Sequence, residues 1–155
     1  IVYFAGAIRG DRALSKIMQE IVMFVKSKKI PVLSEHVATD DPIASFAKKI
    51  GKKKETLTAK DIEQQDILWL DQATHVIAEI SGASTGTGRE IEYARNKKEF
   101  GKTPAKILCL YQKEREYFAS PMIRGMTSQQ YPNVSIFAYT SLEEAKKFIE
   151  NFLES

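Results

Sequence analysis

The sequence predicts a doubly wound α/β fold, a single domain over residues 1–155 with a five-stranded parallel sheet in the order 2-1-3-4-5. Three observations predict it. Five short apolar runs alternate with amphipathic or charged stretches, the signature of strands connected through helices. The runs are near-continuous in apolar character, which suits strands covered on both faces. The loops after the first and third runs are the most glycine-rich in the chain, and ligands in such sheets bind outside the carboxyl ends of the strands at the switch point.

The elements follow in order. The first run is Ile1–Ala5, and the helix after it repeats Leu14, Ile17, Met18, Ile21, Val22 and Val25 at helical spacing, with Asp11 as a candidate cap. The second run is Ile30–Leu33, entered at Pro31. The stretch from Asp40 to Glu55 gathers Lys48, Lys49, Lys52, Lys53 and Lys54 around Gly51. No aromatic residue interleaves with these lysines to stack a base, so they read as a solvated helix end and loop. A helix runs from Thr58 to Gln72, followed by the third run, Val76–Ile80, and a helix through Tyr93 and Ala94. The fourth run is Lys106–Tyr111, in which Cys109 reads as a buried small hydrophobe. The fifth run is Val134–Tyr139, and the last helix, Leu142 to Leu153, follows Thr140 and Ser141 as cap candidates.

Composition narrows the function classes. With 43% hydrophobic and 28% charged residues the chain is globular in type. Lys plus Arg is 23 and Asp plus Glu is 20, a net charge of +3, too small to imply a nucleic-acid partner. One cysteine excludes an internal disulfide framework and a cysteine-based zinc cage, and His36 and His75 alone do not make a histidine-rich site. No metal and no cofactor is expected. No uncharged apolar run approaches the ~20 residues of a membrane span, and the cytosol is the expected compartment. The chain opens at Ile1, without Met and inside an expected strand, so a short upstream stretch is expected.

The chemistry is expected in the two glycine-rich loops. After the first strand comes Gly6-Ala7-Ile8-Arg9-Gly10, and after the third comes Gly82-Ala83-Ser84-Thr85-Gly86-Thr87-Gly88. Glycines let backbone N–H groups approach an anion, a helix N-terminus favours negative charge, and Arg9 adds a forked cation. Together they read as a phosphomonoester cradle. It is not a dinucleotide fingerprint, because it follows the third strand and Ile91 fills the third glycine's place. No Walker-type string occurs, and the first strand ends in small residues, unlike a response regulator's acidic cluster.

Two acids stand out. Glu90 is expected in the opening turn of the helix after the second loop, where the helix dipole would keep it ionised and able to act as a nucleophile. Asp66 falls with Ile62, Trp69 and Ala73 on one helical face, near the middle of the apolar stripe. An acid there costs free energy unless it is paired or serves a site, and burial tunes its proton affinity. Ser120-Pro121 has the form of a cap followed by proline at the first helical position. Glu79 and His36 also point towards the strand ends and read first as structural.

These residues resemble the 2′-deoxynucleoside 5′-phosphate N-hydrolase family, a branch of the nucleoside 2-deoxyribosyltransferase superfamily whose fold is Rossmann- or flavodoxin-like. The resemblance covers YFAGAIRG at 3–10, LSEHVA at 33–38, QQDILWL at 64–70, STGTGREIEYA at 84–94 and SPMIRG at 120–125. It implies hydrolysis of the N-glycosidic bond of deoxynucleoside monophosphates to free base and deoxyribose 5-phosphate. By resemblance Glu90 is the nucleophile, Asp66 its acid–base partner and Tyr3 a positioning residue. Gly6, Ile8, Arg9, Gly10, Ser84, Gly86 and Ser120 would hold the nucleotide, chiefly its phosphate. The resemblance also implies a homodimer in which Ser120 completes the neighbouring site. Ala7 departs from the serine that related enzymes often carry there. Two other readings stand beside this one: a deoxyribosyltransferase, in which an incoming base replaces water, and a non-catalytic nucleotide-binding module.

Overall fold

The computed structural model describes residues 1–8 and 13–155; Arg9, Gly10 and the expected cap Asp11 lie outside the described residues. Four parallel strands form the sheet in the order β1 (Val2–Gly6), β2 (His75–Glu79), β3 (Lys106–Gln112) and β4 (Val134–Tyr139). Their register pairs Gly6 with Glu79 and Glu79 with Leu110, so the carboxyl ends lie level. Among the described residues six α-helices connect and cover them: α1 (Ala13–Ser27), α2 (Pro42–Lys49), α3 (Ala59–Gln72), α4 (Thr85–Arg95), α5 (Pro121–Arg124) and α6 (Leu142–Glu154).

The period of two along each strand sorts the core into two layers. Tyr3, Ala5, Val76, Ala78, Ile107 and Cys109 face Phe46 of α2, Trp69 and Leu70 of α3, and Ile91 and Ala94 of α4. Val2, Phe4, Ile77, Leu108 and Leu110 face Met18, Ile21 and Val25 of α1 and Ala145, Ile149 and Phe152 of α6. Helices on both faces make the sheet doubly wound, as expected. Cys109 is fully buried within the first layer, and burial pushes its thiol up to about 12.

The expected second strand is the main correction. Ile30–Leu33 contributes one isolated parallel bridge, Val2↔Val32, beside β1, and among the described residues the sheet has four strands, in the order β1-β2-β3-β4, where five in the order 2-1-3-4-5 were expected. Two backbone bonds hold this segment, from Val2 N to Pro31 O and from Leu33 N to Val2 O, each 2.9 Å. Pairing then stops because a side chain takes over. The buried Ser34 hydroxyl accepts from Phe4 N at 2.7 Å and donates to Phe4 O at 2.6 Å. One serine thus satisfies both backbone groups that the next ladder rung would have used, and the chain is released into the turn Glu35–Ala38.

The lysine-rich stretch resolves into α2 and its exit. Asp41 caps α2, accepting from Ala44 N at 3.1 Å, with Pro42 at the first position. Lys52 pairs with Asp61 at 2.6 Å and Lys54 with Asp41 at 2.8 Å. Lys49 turns inward, donating to Leu33 O, and its ammonium lies 4.9 Å from the centre of the Trp69 ring.

Candidate active site

Three elements bring the expected acids together. The entry of α3 is fixed by a reciprocal capping box: Thr58 accepts from Asp61 N at 3.1 Å, while Asp61 accepts from Thr58 N at 2.9 Å. That start sets the phase that buries Trp69 and Ala73 and leaves Asp66 half-buried on the same face. Strand β1 turns Tyr3 towards α3 and α4, with 1% of its surface exposed. Helix α4 begins at Ser84, whose hydroxyl accepts from Thr87 N at 3.1 Å. The Tyr3 hydroxyl donates to Glu90 Oε1 at 2.8 Å.

The α4 boundary changes the expected electrostatics. Gly86 and Gly88 lie inside the helix, so Glu90 sits in its second turn, not its opening one. The dipole's benefit fades within the first turn. Burial and the neighbouring Asp66 charge push the Glu90 carboxyl up to about 8, against the lowering effect of the Tyr3 hydrogen bond. The expectation of an ionised Glu90 held by the helix dipole is therefore corrected: burial and Asp66 favour its protonated form. Burial pushes Asp66 up to about 6, with the Tyr3 hydroxyl acting to lower it and Glu63 to raise it. Tyr3 itself is held well above the usual phenol range by burial and by the two acids. The three groups form a coupled proton-holding unit.

The two acids of this unit lie where two cavities meet. One, of about 160 Å³, opens towards the end of β1 and is lined by Gly6, Ile8, His36, Ser84 and Gly86, among others. The second, of about 230 Å³, lies between α3 and α4, with the Glu63–Arg89 ion pair among its walls. Asp66 and Glu90 line both. Among the described residues, three buried side-chain polar atoms lack a hydrogen-bond partner: His36 Nδ1, Asp66 Oδ1 and Thr87 Oγ1. All three residues line the smaller cavity. Buried polar groups are ordinarily satisfied, so their convergence marks where a polar ligand would complete the site.

Gly6, Ile8, Ser84 and Gly86 are thus brought to one cavity with the acids, while Arg9 and Gly10 lie outside the described residues. The two glycines differ physically. A side-chain carbon on Gly6 would come within 2.5 Å of Met18 Sδ, so any larger residue there would displace the Met18 side chain of α1. One on Gly86 would meet only Ser84 Oγ, at 3.9 Å; packing leaves that position open. Ser120 is not brought in. It is an exposed cap of α5, accepting from Met122 N at 3.2 Å, and lines neither cavity.

His36, read first as structural, walls the cavity. Its ring packs edge-on to Phe46 at 5.0 Å and near Trp69 at 5.6 Å. Burial and Lys49 lower it to about 4, so the imidazole is neutral. Thr87 was not singled out as a site residue, and a threonine in a glycine-rich string carries no sequence signal of its orphaned hydroxyl. Glu79 is structural: it accepts from Ser81 N at 2.5 Å and from the Tyr139 hydroxyl, away from both cavities. Among the described residues no cluster of three His, Cys, Asp or Glu side chains could hold a metal.

Comparison with known proteins gives a concordant picture. The family model described as nucleoside 2-deoxyribosyltransferase matches residues 2–150. The 5-hydroxymethyl-dUMP N-hydrolase of Homo sapiens is 36% identical over 126 residues, covering 80% of this chain and 64% of that protein. The protein of the same name from Danio rerio is 31% identical over 160 residues, covering 99% and 96%. Among solved structures, a CMP N-glycosidase of Clostridium botulinum superposes with a TM-score of 0.61 at 19% identity, covering 98% of this chain and 99% of that one. That likeness shows the shared fold.

Proposed function

Because the chain belongs to the nucleoside 2-deoxyribosyltransferase family, we propose that it is an N-glycosidase that hydrolyses 2′-deoxynucleoside 5′-monophosphates to free base and 2-deoxyribose 5-phosphate. The observation that carries this reading is the Tyr3–Glu90 hydrogen bond of 2.8 Å beside Asp66, at the edge of a cavity whose far wall is the start of a helix. A nucleotide with its phosphate against Ser84 and Gly86, and with Arg9 and Gly10 as the further phosphate partners that the resemblance implies, would set its anomeric carbon before the acids.

The reaction is a double displacement of the retaining-glycosidase type. The Glu90 proton passes to Asp66, and the Tyr3 hydroxyl, donating to Glu90 Oε1, steadies the carboxylate left behind. The Glu90 carboxylate attacks C1′, the C1′–N bond breaks, and Asp66 gives its proton to the departing base. Water then attacks C1′ of the glutamyl ester. Asp66 takes the water's proton and Glu90 is released with the bond electrons. The pair begins and ends with one proton between two acids.

Ser120 enters from a second copy in this reading: a homodimer would bring Ser120 of the partner subunit to the phosphate, since within one chain it lies outside the cavity. The enzyme is taken as one catalytic domain working in the cytosol. The test is a panel of nucleosides and their monophosphates incubated with the protein and analysed for free base. Base release from deoxynucleotides, with a transient glutamyl-sugar adduct by mass spectrometry, is the expected result. Exchange of an added base into new nucleoside would favour a transferase, and no turnover of any substrate would leave a binding module.

A further inference from the structure

We infer that Thr87 is a substrate-binding residue whose hydroxyl takes the 3′-hydroxyl of the bound deoxyribose. This rests on the function proposed above. Thr87 is 4% exposed, its Oγ1 has no partner among the described residues, and it lines the cavity that holds Asp66 and Glu90. Its backbone N–H is already committed to Ser84 Oγ, so the side chain is not needed to complete the cap.

Position along α4 selects the ligand atom. Ser84 caps the helix, Thr87 comes three residues later and Glu90 three residues after that. At about 1.5 Å of rise per residue, Thr87 stands about 4.5 Å from each along the axis, and i,i+3 side chains share a face. A nucleotide with its phosphate at the Ser84 end and its anomeric carbon at Glu90 places its sugar ring beside Thr87. On that stretch deoxyribose carries the ring oxygen, the 5′ ester oxygen and the 3′-hydroxyl. Only the 3′-hydroxyl both donates and accepts, matching a threonine hydroxyl that lacks a partner in either sense. Threonine in a helix divides between two side-chain rotamers, so the hydroxyl of a residue that already lines the cavity is free to be aimed at a ligand there.

An orphaned buried hydroxyl is a liability without a ligand, and an isosteric valine would remove it. Thr87→Val is therefore expected to melt at or above the wild-type temperature. The test is a cycle of two substrates and three proteins: kcat/KM for base release from a 2′-deoxynucleoside 5′-monophosphate and from its 2′,3′-dideoxy counterpart. Wild type and Thr87→Ser are expected to prefer the 3′-hydroxyl substrate by about tenfold or more, the effect of one buried hydrogen bond. Thr87→Val is expected to lose that preference, its kcat/KM falling at least about tenfold further on the 3′-hydroxyl substrate than on the dideoxy one. Equal losses on both substrates, or an unchanged preference in Thr87→Val, would overturn the assignment; were Thr87→Val not to fold, a wild type or Thr87→Ser without the preference would overturn it equally. If wild type releases base from neither substrate, the proposed function itself fails and this inference falls with it.

Discussion

The Tyr3 hydroxyl and the Glu90 carboxylate oxygen stand 2.8 Å apart across 87 residues of chain, joining the first strand to the helix after the second. This hydrogen bond favours the ionised form of Glu90 and opposes the burial that raises its pKa. The Tyr3 hydroxyl also acts to lower the Asp66 carboxyl against its burial.

Tyr3→Phe should consequently shift both titrations upward. The pair needs one proton, so kcat/KM should follow a bell with limbs near 6 and 8 that belong to the pair as a whole. Without the phenol, the entire bell is expected to move to higher pH. The maximum should fall about 10- to 100-fold, the worth of a hydrogen bond to a charged group. A profile unmoved along the pH axis would show that the Tyr3 hydroxyl has no part in the proton balance.

Glu90→Gln should abolish base release while nucleotide binding remains measurable by calorimetry, because no solvent path replaces a covalent nucleophile. Its stability carries a sign that can be checked. A carboxyl raised from 4.5 to about 8 binds its proton more tightly folded than unfolded, so native stability falls as pH rises through that window. Gln does not titrate. The variant's melting temperature should therefore gain on wild type between pH 4.5 and about 8 and hold a constant advantage above. A gain that appears only below pH 4.5 would contradict the assignment.

Asp66→Asn should lower the rate by about 10²- to 10⁴-fold, the range of a general acid or base. The loss should be smaller for substrates whose base departs readily without protonation. Removing the Asp66 charge takes away one cause of the raised Glu90 pKa, so the Glu90 carboxyl, followed by carbon NMR, should titrate lower. Folding should be little affected, since Asp66 Oδ1 has no partner to lose among the described residues. A collapse in melting temperature would make Asp66 a structural residue.

Asp66 was legible in the sequence because helical periodicity alone sets an acid among Ile62, Trp69 and Ala73. Both acids, the two covered faces of the sheet and the two glycine-rich loops followed from pattern and spacing, while the resemblance singled out Gly6, Ile8, Ser84 and Gly86 within those loops, and all four line the smaller cavity. Other features did not, each for a physical reason. Two glycines concealed the start of α4, and with it the dipole-poor position of Glu90. An apolar run ending in Leu33 reads as a strand, but its ladder is completed by the Ser34 side chain, which no period of two reveals. Thr87 and His36 acquire meaning only as unpaired atoms on one cavity, a property of the packed molecule.

The Ser34 substitution for a ladder rung is itself testable. Ser34→Ala leaves the buried Phe4 N–H and C=O without their partner, at about 1–3 kcal/mol for each unsatisfied group. Chemical denaturation should show a lower midpoint with little change in slope. A variant as stable as wild type would mean that the Val32 segment extends its pairing with β1 to recover those bonds.

The helix start at Gly86 separates stability from binding most cleanly. Alanine there meets nothing closer than Ser84 Oγ at 3.9 Å, and in a helix it is favoured over glycine by up to about 1 kcal/mol. On structural grounds alone Gly86→Ala should melt slightly higher than wild type. Yet Gly86 lines both cavities, and if its backbone lies against the substrate phosphate, the added methyl displaces that phosphate from the N–H groups. Charge-assisted hydrogen bonds contribute about 1.5–3 kcal/mol each. Weakening one or two should raise KM for a deoxynucleoside monophosphate by about 10- to 1,000-fold and leave kcat less changed. The corresponding deoxynucleoside has no phosphate to displace and should be turned over by both proteins at a similar, low kcat/KM. The check is the ratio of kcat/KM for monophosphate and nucleoside in wild type and Gly86→Ala, with a melting curve for each. A ratio that survives the substitution would place the phosphate elsewhere, and a wild-type ratio near one would count against a monophosphate-specific hydrolase.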